Sequence, residues 1–351
     1  MSSKTFSLQL TADFFDEKNE PRFADFGQQV LNDSPHVVVS RFSDHRPVIE
    51  SDQVGDAAGV IVLTPQVTTE TVRNADDLVA IGRFGVGFDT VDVQACTDQN
   101  VLVMITTGAV DRSMAEATVG WMIALTHRIV IKDQLVRTGN WDARTLYNGC
   151  ELRDRTLGVI GLGGIGQELV RMLSSFGMRP PIACDPFVPE SLLTELGVQS
   201  VSLEEVLRTA DFVSIHCPLN DSTRGLIGAR ELNWMKSDAW LLNTARGGIV
   251  DEDALFETLS ARRIAGAAID CFEEEPVRTP HRFGTLDNVL LAPHSIGWTD
   301  ELFRDIGTTA FQSMKDLSEG RRPHGVVNAE LFDRPEFLTK WQRVSGVAPS
   351  I

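Results

Sequence analysis

The sequence predicts an α/β protein made of two doubly wound units, and three observations predict it. The chain has 351 residues, too many for one ordinary core and enough for two domains that each bury a substantial apolar interior. Short apolar runs alternate with helical stretches from end to end, as parallel strands covered by helices require. In the second half those runs are continuously apolar, which fits strands buried on both faces.

Taken in order, SLQL, VVVSRF, AGVIVL, LVAIGRF and VLVMIT read as strands of the first unit, with TTETVRNAD as one of the helices between them. A longer helix is expected from Ser113 to Arg137, opened by a capping box in which Ser113 is answered by Glu116. The second series is TLGVIGLG, IACDPF, DFVSIHCP, WLLNTAR, AGAAID and NVLLAPH. Another helix is expected from Asp300 to Leu317, and the tail from about Arg334 carries no strong pattern. Pro180-Pro181 removes two backbone donors at the entrance to IACDPF.

Composition narrows the function. With 42% hydrophobic and 23% charged residues the chain is an ordinary globular one. Its net charge of -17 argues against a nucleic-acid partner, because phosphates call for a basic surface. Any anionic ligand would need local positive charge against that field. No run is long and apolar enough to suggest a membrane span. The opening MSSKTFSLQLTADFF alternates apolar and polar residues, so no signal peptide and no membrane association are expected. Five scattered cysteines without C-x-x-C spacing suggest reduced thiols and a cytoplasmic setting, with no metal site.

TLGVIGLGGIGQELV places Gly161, Gly163 and Gly166 in G-x-G-x-x-G spacing, after an apolar strand and at the start of a helix. Glycines at a tight turn would explain the pattern alone. The strand before, the helix after and Asp185 at the end of IACDPF together match a dinucleotide fingerprint. The helix N-terminus would offer free N-H groups to the pyrophosphate. Asp185 would accept hydrogen bonds from the ribose hydroxyls, and no arginine follows in Pro186-Phe187, so NAD is expected over NADP.

Three further strand ends bring chemistry to one edge of the second sheet. WLLNTARGG delivers Arg246, AGAAIDCFEEEP delivers Asp270 and then Glu275, and NVLLAPHSIGW delivers His294. A lone histidine after an apolar run is more often structural than catalytic, and the company of an arginine and a carboxylate is what singles out His294. His216 also ends a strand and is read as lining the cofactor crevice. Asp251, Glu252 and Asp253 suit a helix start, and Glu273 and Glu274 suit a solvated run. The residues alone leave open which of Glu273, Glu274 and Glu275 meets the histidine.

Together LGVIGLGGIG, HCPLNDSTRGLIG, NTARGGIVDEDAL, AAIDCFEEEP and APHSIG, in this order, resemble the D-isomer-specific 2-hydroxyacid dehydrogenase family. The resemblance covers about Val37 to Glu330. It implies a flavodoxin-like substrate domain, residues 1–108 plus 299–351, and a Rossmann-type NAD-binding domain, residues 109–298. It implies NAD-dependent interconversion of a small-molecule D-2-hydroxy acid and its 2-oxo acid, of glyoxylate or hydroxypyruvate type, by a homodimer. Carried over by position, the catalytic residues fall on Arg246, Glu275 and His294. Cofactor contacts fall on Gly161, Gly163, Gly164, Ile165, Gly166, Asp185, Cys217, Thr244, Ala245, Arg246, Asp270, His294 and Gly297. Substrate contacts fall on Arg83, Val86, Gly87 and Arg246, with the segment RFGVGFD holding the substrate carboxylate and Val86 also near the cofactor.

The chain departs from the pattern at several places. Gly164 stands where a basic residue is frequent, and Thr64 stands where phosphoglycerate dehydrogenases tend to carry a phosphate-binding arginine. Trp298 would narrow the pocket or pack in the core. Formate dehydrogenases use an amide where Glu275 stands. A rival reading from another class is an NAD(H)-sensing module similar to the C-terminal-binding proteins, whose C-terminal region EGRRPHGVVNAELF is similar in layout.

Overall fold

The computed structural model describes residues 4–350; the first three residues of the N-terminal stretch read above lie outside them. The chain divides into two compact units, one up to Val110 and again from Trp298, the other Asp111–Gly297.

The first unit holds a five-stranded sheet of β1 (Phe6–Leu10), β2 (Val37–Arg41), β3 (Gly59–Val62), β4 (Ala80–Arg83) and β5 (Leu102–Met104), in the order β2-β1-β3-β4-β5. Every pairing is parallel. Strands β3 and β5 are wholly buried, as their unbroken apolar sequences demand. The helix Asp300–Ser318 covers the sheet and is capped by the Thr299 hydroxyl, which accepts the Leu302 N-H at 3.1 Å.

The tail expected to be patternless forms a helix, Pro335–Ser345. Proline at its first turn suits a helix start, and Phe337 and Trp341 are fully buried. The Trp341 indole also donates to the Leu317 carbonyl at 2.7 Å. Phe337, Trp341 and Val344 recur at helical spacing and form its buried face, a signal the sequence reading passed over.

The second unit holds β6 (Leu157–Ile160), β7 (Ile182–Cys184), β8 (Gln199–Ser200), β9 (Phe212–Ile215), β10 (Trp240–Asn243), β11 (Gly266–Ile269) and β12 (Val289–Leu291). Their order is β12-β11-β10-β9-β6-β7-β8, all parallel. Neighbouring residues feed opposite faces: Leu241 and Ala267 enter one core, Leu242 and Ala268 the other. Phe212 stacks on Trp240 with ring centroids 5.0 Å apart.

Two expectations need correction here. The run ending at His294 is not a core strand: β12 is an edge strand, and Leu291 is 38% exposed. The helix expected from Ser113 to Arg137 is two helices, Asp111–Thr126 and Ile129–Arg137, separated where Arg128 takes a left-handed φ of 55°. Ser113 does not cap it. Its hydroxyl donates to the Gly297 carbonyl, a partner remote in sequence that no local spacing reveals. β8, a strand of two exposed residues, was also unforeseen.

Candidate active site

In a doubly wound sheet, ligands gather at the C-terminal edge. Three adjacent strands of the second unit, β10, β11 and β12, deliver Arg246, Asp270 with Glu275, and His294 just beyond that edge. The sequence brought these residues to one edge, and the structure gives their partners.

Glu275 Oε2 lies 2.7 Å from His294 Nδ1, and Glu275 Oε1 accepts the Phe272 N-H at 2.8 Å. Of the three glutamates left open by the residues, it is therefore Glu275 that meets the histidine. Burial alone would push its carboxyl up. The hydrogen bonds from His294 and Phe272 and the charges of His294 and Arg246 outweigh that and hold it below the usual carboxylate range. Glu275 thus stays ionised and fixes the ring through Nδ1, leaving Nε2 for a reacting group.

Asp270 holds the backbone that carries His294. It is 2% exposed and accepts N-H bonds from Ser295 at 2.9 Å and Ile296 at 3.2 Å, while its own carbonyl accepts the His294 N-H at 2.8 Å. These bonds maintain His294 at a left-handed φ of 53°, a conformation that costs an ordinary residue on the order of 1 kcal/mol or more. Burial raises the Asp270 carboxyl above its ordinary value, opposed by the two loop N-H groups.

Arg246 sits on a turn fixed by Asn243, which the sequence reading did not single out. The Asn243 amide donates to the Arg246 carbonyl at 2.9 Å and accepts the Ala245 N-H at 3.1 Å. The turn then passes so close to the Glu275 loop that a Cβ at Gly247 would lie 1.8 Å from the Phe272 carbonyl oxygen. Only glycine fits there. Glu273 and Glu274 are exposed, as a solvated run requires, and Glu273 also exchanges side-chain and backbone hydrogen bonds with Glu252, at 2.7 and 3.3 Å, bracing the same loop. Asp251 caps the following helix by accepting the Ala254 N-H at 2.9 Å, as its acidic start suggested.

The glycine-rich turn lies on the neighbouring part of the edge. Gly161 has φ +88° and packs so tightly that a Cβ would stand 2.6 Å from the Cys217 nitrogen. A Cβ on Gly166 would stand 2.7 Å from the Gly161 oxygen, so this glycine seats the helix on the turn. Gly163 faces open space, and no side chain caps the first turn of the helix Gly164–Leu173, which continues through Ile165. That combination leaves room and N-H donors for a phosphate. Asp185 accepts N-H bonds from Leu162 at 2.7 Å and Phe187 at 2.9 Å, which aims the carboxylate at the edge with acceptor capacity left. Thr244 Oγ1 is buried without a protein partner among the described residues. A Cβ on Gly297 would meet Met114 Sδ at 2.2 Å, so close packing fixes this residue.

Asp111 gave no signal in the sequence. Its Oδ2 would be 1.9 Å from a Cβ on Gly164, so a carboxylate occupies the space a side chain at 164 would take. Burial, then the charge of Glu168, raises its pKa. A pyrophosphate at this turn would face that negative charge. Asp111→Asn is therefore expected to tighten NADH binding by about 1 kcal/mol, roughly fivefold. Fluorescence titration checks this, and unchanged or weaker binding would contradict it.

His216 follows β9 with its Nε2 2.8 Å from the Ser214 hydroxyl. The residue is half-buried, with Nδ1 shut away from solvent, and this burial drives its pKa down to about 4 from 6.5. The folded protein therefore holds it neutral where the unfolded chain protonates, so its stabilising contribution is present above about pH 6.5 and is lost as pH falls towards 4. Between those values the wild type should lose on the order of 3 kcal/mol from this group. His216→Gln should remove most of that loss, read as Tm against pH. Burial likewise pushes the Cys217 thiol up to about 11.

In the first unit, β4 ends at Arg83, which donates through Nη1 to the Phe84 carbonyl. Gly85 turns the chain at φ +138°, and Val86 and Gly87 follow, both half-buried. Thr64 donates its N-H to Asp13 Oδ2 at 3.0 Å and its hydroxyl to the same oxygen. Trp298 is 59% exposed, with its ring edge-on to Phe303 at 5.2 Å, and so is no core residue.

A family model described as the NAD binding domain of D-isomer specific 2-hydroxyacid dehydrogenase matches residues 119–295. This chain belongs to that family. The match falls inside the second unit, so the glycine turn and the Arg246, Glu275 and His294 loops all lie on the family's NAD-binding domain. The chain is 38% identical to a glyoxylate reductase of Aeropyrum pernix, over 77% of this chain and 82% of that one. It is also 38% identical to a D-3-phosphoglycerate dehydrogenase of Methanocaldococcus jannaschii, over 79% of this chain and 53% of the relative, so it spans about half the length of that protein. Its structure is similar to that of a glyoxylate reductase from Paecilomyes thermophila, with a TM-score of 0.78 and 26% identity over 94% of this chain and all of the other.

An NAD-type cofactor follows from the family, and the residues present fit it: an uncapped helix start, open space at Gly163, a carboxylate at Asp185 and an unpartnered Thr244 hydroxyl. No helix among the described residues is long and apolar enough to cross a membrane.

Proposed function

We propose that the chain interconverts a D-2-hydroxy acid and its 2-oxo acid, with NAD(H) preferred over NADP(H). The observation that carries this reading is the Glu275 and His294 pair at 2.7 Å, set on the same sheet edge as Arg246. The bound dinucleotide would supply or accept the hydride. Arg246 would grip the substrate carboxylate and polarise the carbonyl, a task suited to a planar guanidinium. His294 would give a proton from Nε2 to the developing alkoxide, or take one in oxidation. Glu275 would keep the ring oriented through Nδ1, and Asp270 would hold the loop. Arg83, Val86 and Gly87 would bind the substrate in the first unit, and the residues named around the glycine turn, with Cys217, Ala245 and Gly297, would line the cofactor site.

The substrate is proposed to be a small unphosphorylated acid of glyoxylate or hydroxypyruvate type. Thr64 carries no charge, and the Asp13 carboxylate bound to it would repel a phosphate. The sensor reading gains nothing from EGRRPHGVVNAELF. This stretch is built into the first unit, where Asn328 is 1% exposed and the Val327 N-H donates to the Val103 carbonyl at 2.8 Å. A cytoplasmic homodimer completes the proposal, in keeping with the five free cysteines, and sedimentation would test the dimer.

NADH oxidation followed at 340 nm against glyoxylate, hydroxypyruvate, phosphohydroxypyruvate and pyruvate tests the reading. Saturable turnover is expected, fastest on an unphosphorylated acid. Tight NADH binding without turnover on any of them would contradict it.

A further inference from the structure

The acid-base pair has a third potential metal ligand beside it. Cys271 lies just past β11, buried beneath Glu275 and His294, both of which reach solvent. One ligand atom from each of the three residues falls within 4.8 Å of the other two. The thiol donates to the Ala245 carbonyl at 3.4 Å.

We propose that Cys271, Glu275 and His294 form an inhibitory site for a thiophilic divalent cation, with Zn²⁺ as the ligand. Sulfur, imidazole and carboxylate are the donors zinc takes, at about 2.3, 2.0 and 2.0–2.2 Å. Tetrahedral geometry with such bonds places donors roughly 3–4 Å apart. The three groups reach that spacing by a small parting of the Glu275 and His294 contact and rotation of the thiol. The thiol proton leaves to buffer, and the thiolate replaces its bond to Ala245 with one to the metal. A soft sulfur ligand selects zinc over magnesium or calcium. An approaching cation meets the two exposed donors first and is then secured by the buried sulfur.

Binding at either ring nitrogen inhibits: at Nδ1 the metal replaces the hydrogen bond between His294 and Glu275, and at Nε2 it occupies the proton-transfer position. The inhibition rests on the dehydrogenase reading, whereas binding does not. The test therefore has two arms.

In the first, cofactor-free protein is titrated with Co²⁺ and its absorption recorded, a thiolate-to-cobalt band in the near ultraviolet reporting sulfur ligation. The wild type shows the band, and Cys271→Val and Cys271→Ser lose it. In the second, NADH-dependent turnover is titrated with ZnCl₂. The wild type is inhibited and recovers with chelator. Cys271→Val needs at least about tenfold more zinc while its zinc-free rate stays near wild type. Cys271→Ser, closer in size and polarity, serves if the valine variant does not fold. Absence of the band, or equal zinc sensitivity in the wild type and a folded Cys271 variant, overturns the proposal. If no acid in the panel turns over, the dehydrogenase reading fails and the cobalt band alone still decides whether the site exists.

Discussion

His294→Ala is expected to lower kcat for 2-oxo acid reduction by about 10²- to 10⁴-fold, the range for loss of a positioned general acid. NADH affinity should change by no more than a few fold, because the glycine turn that would hold the pyrophosphate is untouched. The loss follows from geometry. Glu275 is tied to Nδ1 at 2.7 Å and is itself fixed by the Phe272 N-H, so the ring presents its other nitrogen in one orientation. His216, the other histidine that follows a strand of this sheet, is held neutral by burial and does not stand in as the acid. Steady-state kinetics with stopped-flow NADH binding separate the two effects. A fall in kcat of less than about tenfold would remove His294 from the proton-transfer role.

Arg246→Gln is expected to reduce kcat/KM by roughly 10²- to 10³-fold, the equivalent of about 3–4 kcal/mol for removing one partner of a charge-assisted contact. Much of that should appear in KM, since the guanidinium would hold the carboxylate in ground and transition states alike. Arg246→Lys keeps the charge and loses the planar fork, so it should recover only part of the activity. Measuring kcat and KM for both variants checks this, with Tm confirming that the turn set by Asn243 is intact. A lysine variant at full activity would contradict a bidentate grip.

Much of the architecture was legible because buried parallel strands leave an unmistakable record: GVIV, LGVI and GAAI are unbroken apolar runs in wholly buried strands. What was lost depended on partners far along the chain. Ser113 and Glu116 have capping-box spacing, yet the Ser113 hydroxyl is engaged by Gly297. Asn243, Asp111 and the Glu252–Glu273 brace act through loops that meet only in three dimensions. His294 looked like the end of a core strand because NVLLA is apolar, whereas β12 closes the sheet as a partly exposed edge. On the edge that strand lets the histidine reach solvent, and a ring that must meet substrate needs that access.

The residues of the candidate site divide in the same way. The glycine turn was readable because strand, turn and helix are contiguous. The pairing of His294 with Glu275 was not readable from spacing alone, since three consecutive glutamates offer the same charge and only the Phe272 N-H and the loop path select one. Cys271 was read as one of five scattered reduced thiols, and nothing local to CFEEEP announces its approach to the histidine.

The most direct measurement of the central claim is the fate of the hydride. Protein is incubated with NADH deuterated at the transferring position of C4 and with pyruvate or hydroxypyruvate, and the product is analysed by mass and by chiral separation. The account predicts a D-2-hydroxy acid carrying deuterium on C2, formed at least about 10²-fold more slowly by His294→Ala. Product of L configuration, or stoichiometric NADH binding with no deuterium reaching C2, would contradict it.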